Sequence, residues 1–336
     1  MTRELVDIES ITENEKQVGE YLLHYLSGLA AGSGGMAEAM AVTPERFNVY
    51  AEWGDPVVVL STHMDTVPPF FVSSEDSENI YGRGACDAKG IIAAMIAAAE
   101  NLIEGGTRNF GLLFVVGEER NSAGAEVASR SPRGVRYLIN GEPTESKVAL
   151  GSKGILRYEI VATGKMAHSA YPELGDSAIE KLLDALDSIR RMPLPEDPVM
   201  GKTTLNIGTI SGGRAPNIIP DAARAELAIR LVSDGRDVDR ALRAAIGNRA
   251  EVKEILTLPA MRFAALDGFP TSVVAFTTDI PVLAPAWGEP FLFGPGSIHV
   301  AHTTQEKISK RELLDAVDTY AKMTRMLLSK ADAQHA

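Results

Sequence analysis

Residues 90–103 read GIIAAMIAAAENLI, apolar on nearly every side, and Gly105 and Gly106 close the run. A helix of that composition has no face to offer water, so it must pack inside the protein. FGLLFVV (110–116) and VRYLIN (135–140) are short continuous apolar runs, as expected of parallel strands covered on both faces. FNVYAEW (47–53) and VVVLSTH (57–63) read as two more strands, joined through GDP. An amphipathic helix precedes them, with Val18, Tyr21, Leu22, Tyr25, Leu26 and Leu29 at helical spacing before GSGG. Strands alternating with helices give an α/β domain with a mostly parallel sheet.

The pattern changes after GSKG at 151–154. LRYEIVAT alternates, with Leu156, Tyr158 and Ile160 on one face. Ser177 and Glu180 have capping-box spacing ahead of a stripe of Ile179, Leu182, Leu183 and Leu186. TTLNIGTI and ARAELAIRL alternate again, VDRALRAAI reads as a helix, and VKEILTL as a strand. That βαββαβ order predicts a ferredoxin-like α+β domain over 154–263. It is inserted into a discontinuous α/β domain of residues 1–153 and 264–336, whose last helix starts at Lys310.

Ligands in parallel α/β sheets bind beyond the carboxyl ends of the strands, so the residues just past each buried run matter most. VVVLST leads to His63 and Asp65, FGLLFVVG to Glu118 and Glu119, VRYLING to Glu142, and PFLFGPGSIHVA to His302. The loop GRGACDAKG places Asp87 just before the Ala-rich helix. Such convergence of imidazoles and carboxylates predicts a metal site. Two histidines and at least three carboxylates exceed what one catalytic zinc takes from a protein. They suit two metals roughly 4 Å apart that share a carboxylate and a hydroxide. Nitrogen and oxygen donors favour zinc, with cobalt and manganese as alternatives.

Composition excludes other classes. The net charge of −12 opposes a nucleic-acid binder. No apolar run reaches the length of a membrane span, and MTRELVDIES lacks a signal-peptide core. The single Cys86 cannot form an internal disulfide, so the expected compartment is the cytoplasm. GRGACDAKG has Asp87 where a dinucleotide fingerprint could carry a glycine, MGKTT lacks the earlier phosphate-loop glycine, and G-x-S-x-G is absent. His24 on a polar helix flank and His335 in the tail read as solvated residues. The GPG…AH…E spacing favours His302 over His299 as the last metal ligand. Cys86 reads as a small buried hydrophobe, and Lys89 and Arg120 as balances for nearby negative charge.

In this order, STHMDTVP, GRGACDAKG, VVGEER, NGEPTE, GKMAHSAYP and GPGSIHVAHTTQEKI resemble the M20 family of dinuclear zinc peptidases and deacylases. The resemblance spans nearly the whole chain. It implies that His63 and Glu142 hold one metal, Glu119 and His302 the other, with Asp87 bridging. Asp65 matches the acid that orients His63, and Glu118 the general base that takes a proton from the bridging water and passes it to the leaving nitrogen. The inserted domain matches a lid through which many members dimerise, implying a homodimer. His168 matches a lid histidine that donates to the oxyanion. Asn217 and Arg230 fall where members hold a substrate carboxylate, although Arg230 shares its strand face with Arg224 and Glu226 and also reads as a surface residue.

GEPTE, FTTD and GPGSI…AH look most like the branch that removes an acetyl group from acetylornithine, acetyl-lysine or acetylcitrulline. A related reading releases lysine or ornithine from an amino-group carrier protein. The alternatives are a dipeptidase or carboxypeptidase, a succinyl-diaminopimelate desuccinylase-like enzyme, or a non-catalytic metal-binding module on the same fold.

Overall fold

Every residue of Val58–His63, Phe110–Val115 and Tyr137–Asn140 is buried, and these strands lie side by side in parallel. The computed structural model describes residues 1–334, so His335 lies outside the described residues. Around the parallel trio the sheet continues in the order Met36–Thr43, Arg46–Trp53, Phe110–Val115, Val58–His63, Tyr137–Asn140, Glu289–Leu292, Val148–Ser152. Glu289–Leu292 pairs in parallel with Tyr137–Asn140, whereas the outer pairings are antiparallel. The expected mostly parallel sheet is therefore mixed. The hairpin partner Met36–Thr43 escapes a sequence reading because its MAEAMAVT is half exposed and its one apolar stretch, AMAV, is short and rich in alanine.

The helix Lys89–Glu104 buries Ile91, Ile92, Met95, Ile96, Ala98, Ala99 and Leu102 together, as its all-round apolarity requires. Lys310–Ala333 packs beside it, with Ser309 capping its start by accepting from the Glu312 N–H. The Tyr320 hydroxyl donates to the Phe293 carbonyl at 2.8 Å within this core. Each fully buried large aliphatic side chain contributes about 1.5–3 kcal/mol, so this layer is a rigid floor for the strand ends above it.

The chain divides into two units. The larger holds Met1–Leu150, Phe263–Ser272 and the residues from Thr278 onward; the smaller holds Gly151–Arg262 and Val273–Thr277. The smaller unit thus starts before residue 154, ends before 263, and takes in a short later segment that the sequence does not mark. Backbone pairing explains that segment: the Lys153 N–H donates to the Val274 carbonyl, and the Ser152 hydroxyl to that of Phe276.

Within the smaller unit the strands run antiparallel in the order Thr204–Gly212, Ala222–Leu231, Gly154–Thr163, Glu251–Leu258. Helices Ala178–Arg191 and Arg236–Ile246 bury Leu182, Leu186, Val238 and Leu242 in one cluster with Leu156, Tyr158 and Ile160. This is the ferredoxin-like arrangement expected from the alternation. Ser177 caps the first helix by accepting from the Glu180 N–H.

Candidate metal centre

Three parallel strands deliver the first ligands to one edge. Register pairs His63 with Val115, and Ser61 with Asn140, so His63, the Glu118–Glu119 turn and Glu142 leave neighbouring strand ends on the same side. Gly117 makes the turn possible. Its φ is +81°, a left-handed backbone that side-chain-bearing residues rarely adopt, and its carbonyl accepts from Asn121 and Ser122. Asp87 comes from the loop ahead of Lys89–Glu104, and His302 from a tight turn where the Thr303 hydroxyl donates to the Val300 carbonyl.

The side chains meet. Asp87 Oδ1 lies 2.9 Å from His63 Nε2, and its Oδ2 lies 3.3 Å from His302 Nε2. His302 Nε2 is also 2.9 Å from Glu119 Oε1, and His63 Nε2 is 3.9 Å from Glu142 Oε2. Ligand atoms of His63, Asp87 and Glu119 all lie within 4.8 Å of one another. Asp87 therefore stands between the histidines, one oxygen toward each. Behind His63, Asp65 accepts from the Glu118 and Glu119 N–H groups at 3.1 and 3.2 Å and from the Thr12 hydroxyl at 2.8 Å.

The electrostatics call for cations. Burial pushes the Glu118 and Glu142 carboxyls well above the ordinary range, reinforced by Glu142 in the case of Glu118 and by Asp87 and Glu119 in the case of Glu142. Burial also raises Glu119. At Asp87 burial acts upward too, but hydrogen bonds from His302 and His63 outweigh it and lower the group. The same contacts with Asp87 and Glu119 raise the His302 imidazole to about 10. Glu142 Oε1 is buried without a hydrogen-bond partner among the described residues. A cluster of buried carboxylates with two imidazoles and an orphaned oxygen is strongly unfavourable unless protons or divalent cations compensate it. The donor set fits two such cations, with hard oxygen and borderline nitrogen ligands.

The remaining expected residues sit in the smaller unit. His168 is exposed; its Nδ1 accepts from the Ala170 N–H at 3.1 Å. Asn217 is exposed, and its carbonyl accepts from the Ser169 N–H. On the open sheet face Arg224 faces Glu159, and Arg157 faces Glu226. Arg230 has no carboxylate in ion-pair range among the described residues and is half-buried, which lowers its pKa.

One expectation changes and others stand. Arg120 does not reach the glutamate pair; it meets Glu13 at 3.0 Å in solvent. Lys89 is fully buried, its ammonium donating to the Ile8 carbonyl at 2.5 Å in the field of Glu306, Asp7 and Glu9, so it balances negative charge without a direct ion pair among the described residues. Burial lowers it to about 7. Cys86 is buried and its thiol raised by that burial, as a small hydrophobe should be. His299 is exposed and contributes nothing to the cluster. The structure gives two further acids, both within quoted motifs, a buried setting that the sequence does not show. Asp279, within FTTD, is 1% exposed with both carboxylate oxygens unpartnered among the described residues. Glu306, the acid of the AH…E spacing, is equally buried.

Residues 150–254 match the family description "Peptidase dimerisation domain". A probable carboxypeptidase of Aspergillus oryzae is 38% identical, covering 98% of this chain and 87% of that protein. A peptidase M20 domain-containing protein of Schizosaccharomyces pombe is also 38% identical, covering 96% of this chain and 82% of the relative. Among solved structures, a tripeptidase of Staphylococcus aureus superposes with a TM-score of 0.79 at 21% identity, over 97% of this chain and 96% of the other. No helix of the described residues is long and apolar enough to cross a membrane.

Proposed function

The chain belongs to the M20 family of metallopeptidases, metal-dependent hydrolases of amide bonds, and we propose that it is a di-zinc peptidase cutting the amide next to the free carboxylate of a dipeptide or short peptide. The observation that carries this reading is the half-buried Glu118, its carboxyl raised by desolvation and by Glu142, beside the His63, Asp87, Glu119, Glu142 and His302 set. A binding module needs the ligands alone; a hydrolase also needs a proton carrier within reach of them.

In this reading His63 and Glu142 would hold one cation and Glu119 and His302 the other, with Asp87 available to both. Bound divalent cations supply Lewis acidity toward the scissile carbonyl and toward water. Glu118 takes a proton from the attacking water as the new C–O bond forms, and returns it to the amine nitrogen as the C–N bond breaks. Asp65 holds the His63 ring and the Glu118 backbone in place. His168 donates to the developing oxyanion, supplied by the second copy of a homodimer formed through the smaller unit. Arg230, without an acidic partner on its face among the described residues, receives the substrate carboxylate together with Asn217.

Acetyl amino acids present the same amide beside the same carboxylate, and the acetylornithine, acetyl-lysine or acetylcitrulline reading uses the identical attack. The names of the relatives, carboxypeptidase above all, support peptide bonds instead. A panel of dipeptides, tripeptides and the three acetyl amino acids, run with zinc, cobalt and manganese, decides between them. We expect kcat/KM at least tenfold higher for a peptide. Rapid turnover of an acetyl amino acid with inert peptides would sink the proposal.

A further inference from the structure

The loop 82–87 that presents Asp87 is moulded on one residue from the far end of the chain. Glu306 is 1% exposed. Its Oε1 accepts from the backbone N–H groups of Gly84, Cys86 and Asp87 at 3.0, 3.2 and 3.1 Å. Its other oxygen accepts from the Arg83 guanidinium, also 1% exposed, and its own carbonyl accepts from the Gly82 N–H at 3.1 Å. The loop has little freedom to do otherwise. Gly84 has φ +86°, and a Cβ there would lie 2.9 Å from both Lys89 and Thr66.

A buried carboxylate needs such a set of donors to be tolerated, and three convergent N–H groups with a guanidinium supply it. The consequence reaches further than local stability. Glu306 stands four residues beyond His302, and its neighbours Lys307–Ser309 pair with Asn79–Tyr81. It thereby joins the segment that carries His302 to the segment that carries Asp87, the carboxylate lying between both histidines.

We propose that Glu306 is a positioning residue for the two-metal centre: its carboxylate, paired with Arg83, fixes the Asp87 loop against the His302 segment so that both oxygens of Asp87 face their histidines before any cation arrives. This rests on the metal centre of the proposed function but not on its substrate. Preorganised ligands bind more tightly because less ordering remains to be done on binding, and ligand-orienting residues typically govern about 10–100-fold in metal affinity.

Zinc alone is the probe. Metal-free wild type, Glu306→Gln and Arg83→Gln are titrated with zinc against a chromogenic chelator, with Ile308→Ala as a control that weakens the same region without touching the carboxylate. Glu306→Gln should fold, bind at least one zinc equivalent tenfold or more weakly, and show a smaller zinc-induced rise in Tm. Ile308→Ala should lower the Tm of the metal-free protein and leave zinc affinity within twofold of wild type. Wild-type zinc affinity in Glu306→Gln, or an equal loss in Ile308→Ala, overturns the proposal. Should Glu306→Gln fail to fold, Arg83→Gln decides: a loss of fivefold or more supports it, and unchanged affinity overturns it. Because no substrate enters the measurement, a wrong assignment of peptidase activity leaves this outcome intact.

Discussion

The Glu118 backbone N–H donates to Asp65 Oδ1 at 3.1 Å, and the Asp65 backbone carbonyl accepts from His63 Nδ1 at 3.0 Å. One residue thus orients an imidazole ligand through its backbone carbonyl and pins the turn bearing the proposed base through its carboxylate. Asp65→Asn places an amide where two backbone N–H groups and the Thr12 hydroxyl need acceptors, beside the His63 ring. Zinc affinity should fall about 10–100-fold, measured by chelator competition, with little change in far-UV circular dichroism. Unaltered zinc binding would remove Asp65 from this role.

The adjacent glutamates should separate in function. Glu119 reaches His302 at 2.9 Å, whereas no ion pair joins the Glu118 side chain to either histidine among the described residues. Glu118→Gln should retain both metals and lose on the order of 10² to 10⁴-fold in kcat. Glu119→Gln should lose one metal equivalent by elemental analysis. Equal metal loss in both variants would reverse the assignment.

Metal uptake should release protons. With His302 raised to about 10 and Glu142 raised well above the carboxylate range, the metal-free centre holds protons at pH 7 that cations must displace. Calorimetric titration with zinc in buffers of different ionisation enthalpy should report at least one proton released. A binding enthalpy independent of buffer would contradict a protonated metal-free centre.

Asp279 makes a pH prediction whose sign is set by its burial. Burial raises the carboxyl from 3.8 to about 6. Between those values the folded chain keeps a proton that the unfolded chain has released, so rising pH favours unfolding, and the penalty is complete above about 6. Metal-free Asp279→Asn should therefore melt higher than wild type at pH 8 and no higher near pH 4. A uniform loss of Tm at both values would show that the carboxylate stabilises the fold.

Much of the site is legible in the sequence because strands covered on both faces are written as continuous apolar runs, and His63, Glu118, Glu119 and Glu142 stand where those runs stop. Asp87 and His302 are also found by position, ahead of the Ala-rich helix and past PFLF, while the resemblance supplies their roles. Arg120 departs from expectation because proximity in sequence is not proximity of charge, whereas Lys89 does lie in the field of Glu306, Asp7 and Glu9. Arg120 turns outward to Glu13, and Lys89 turns inward to the Ile8 carbonyl.

The sequence by itself determined the α/β frame, the inserted ferredoxin-like unit and the identity of the ligand-bearing strand ends, because periodicity and burial are local properties. Only the tertiary structure decided which ligand faces which, that the outer strands reverse direction, and that Glu306 closes on a loop more than 200 residues earlier. Those are long-range hydrogen bonds and charge contacts. Nothing in a residue's neighbours along the chain specifies the partner that will satisfy a buried carboxylate; the packed core brings that partner into reach.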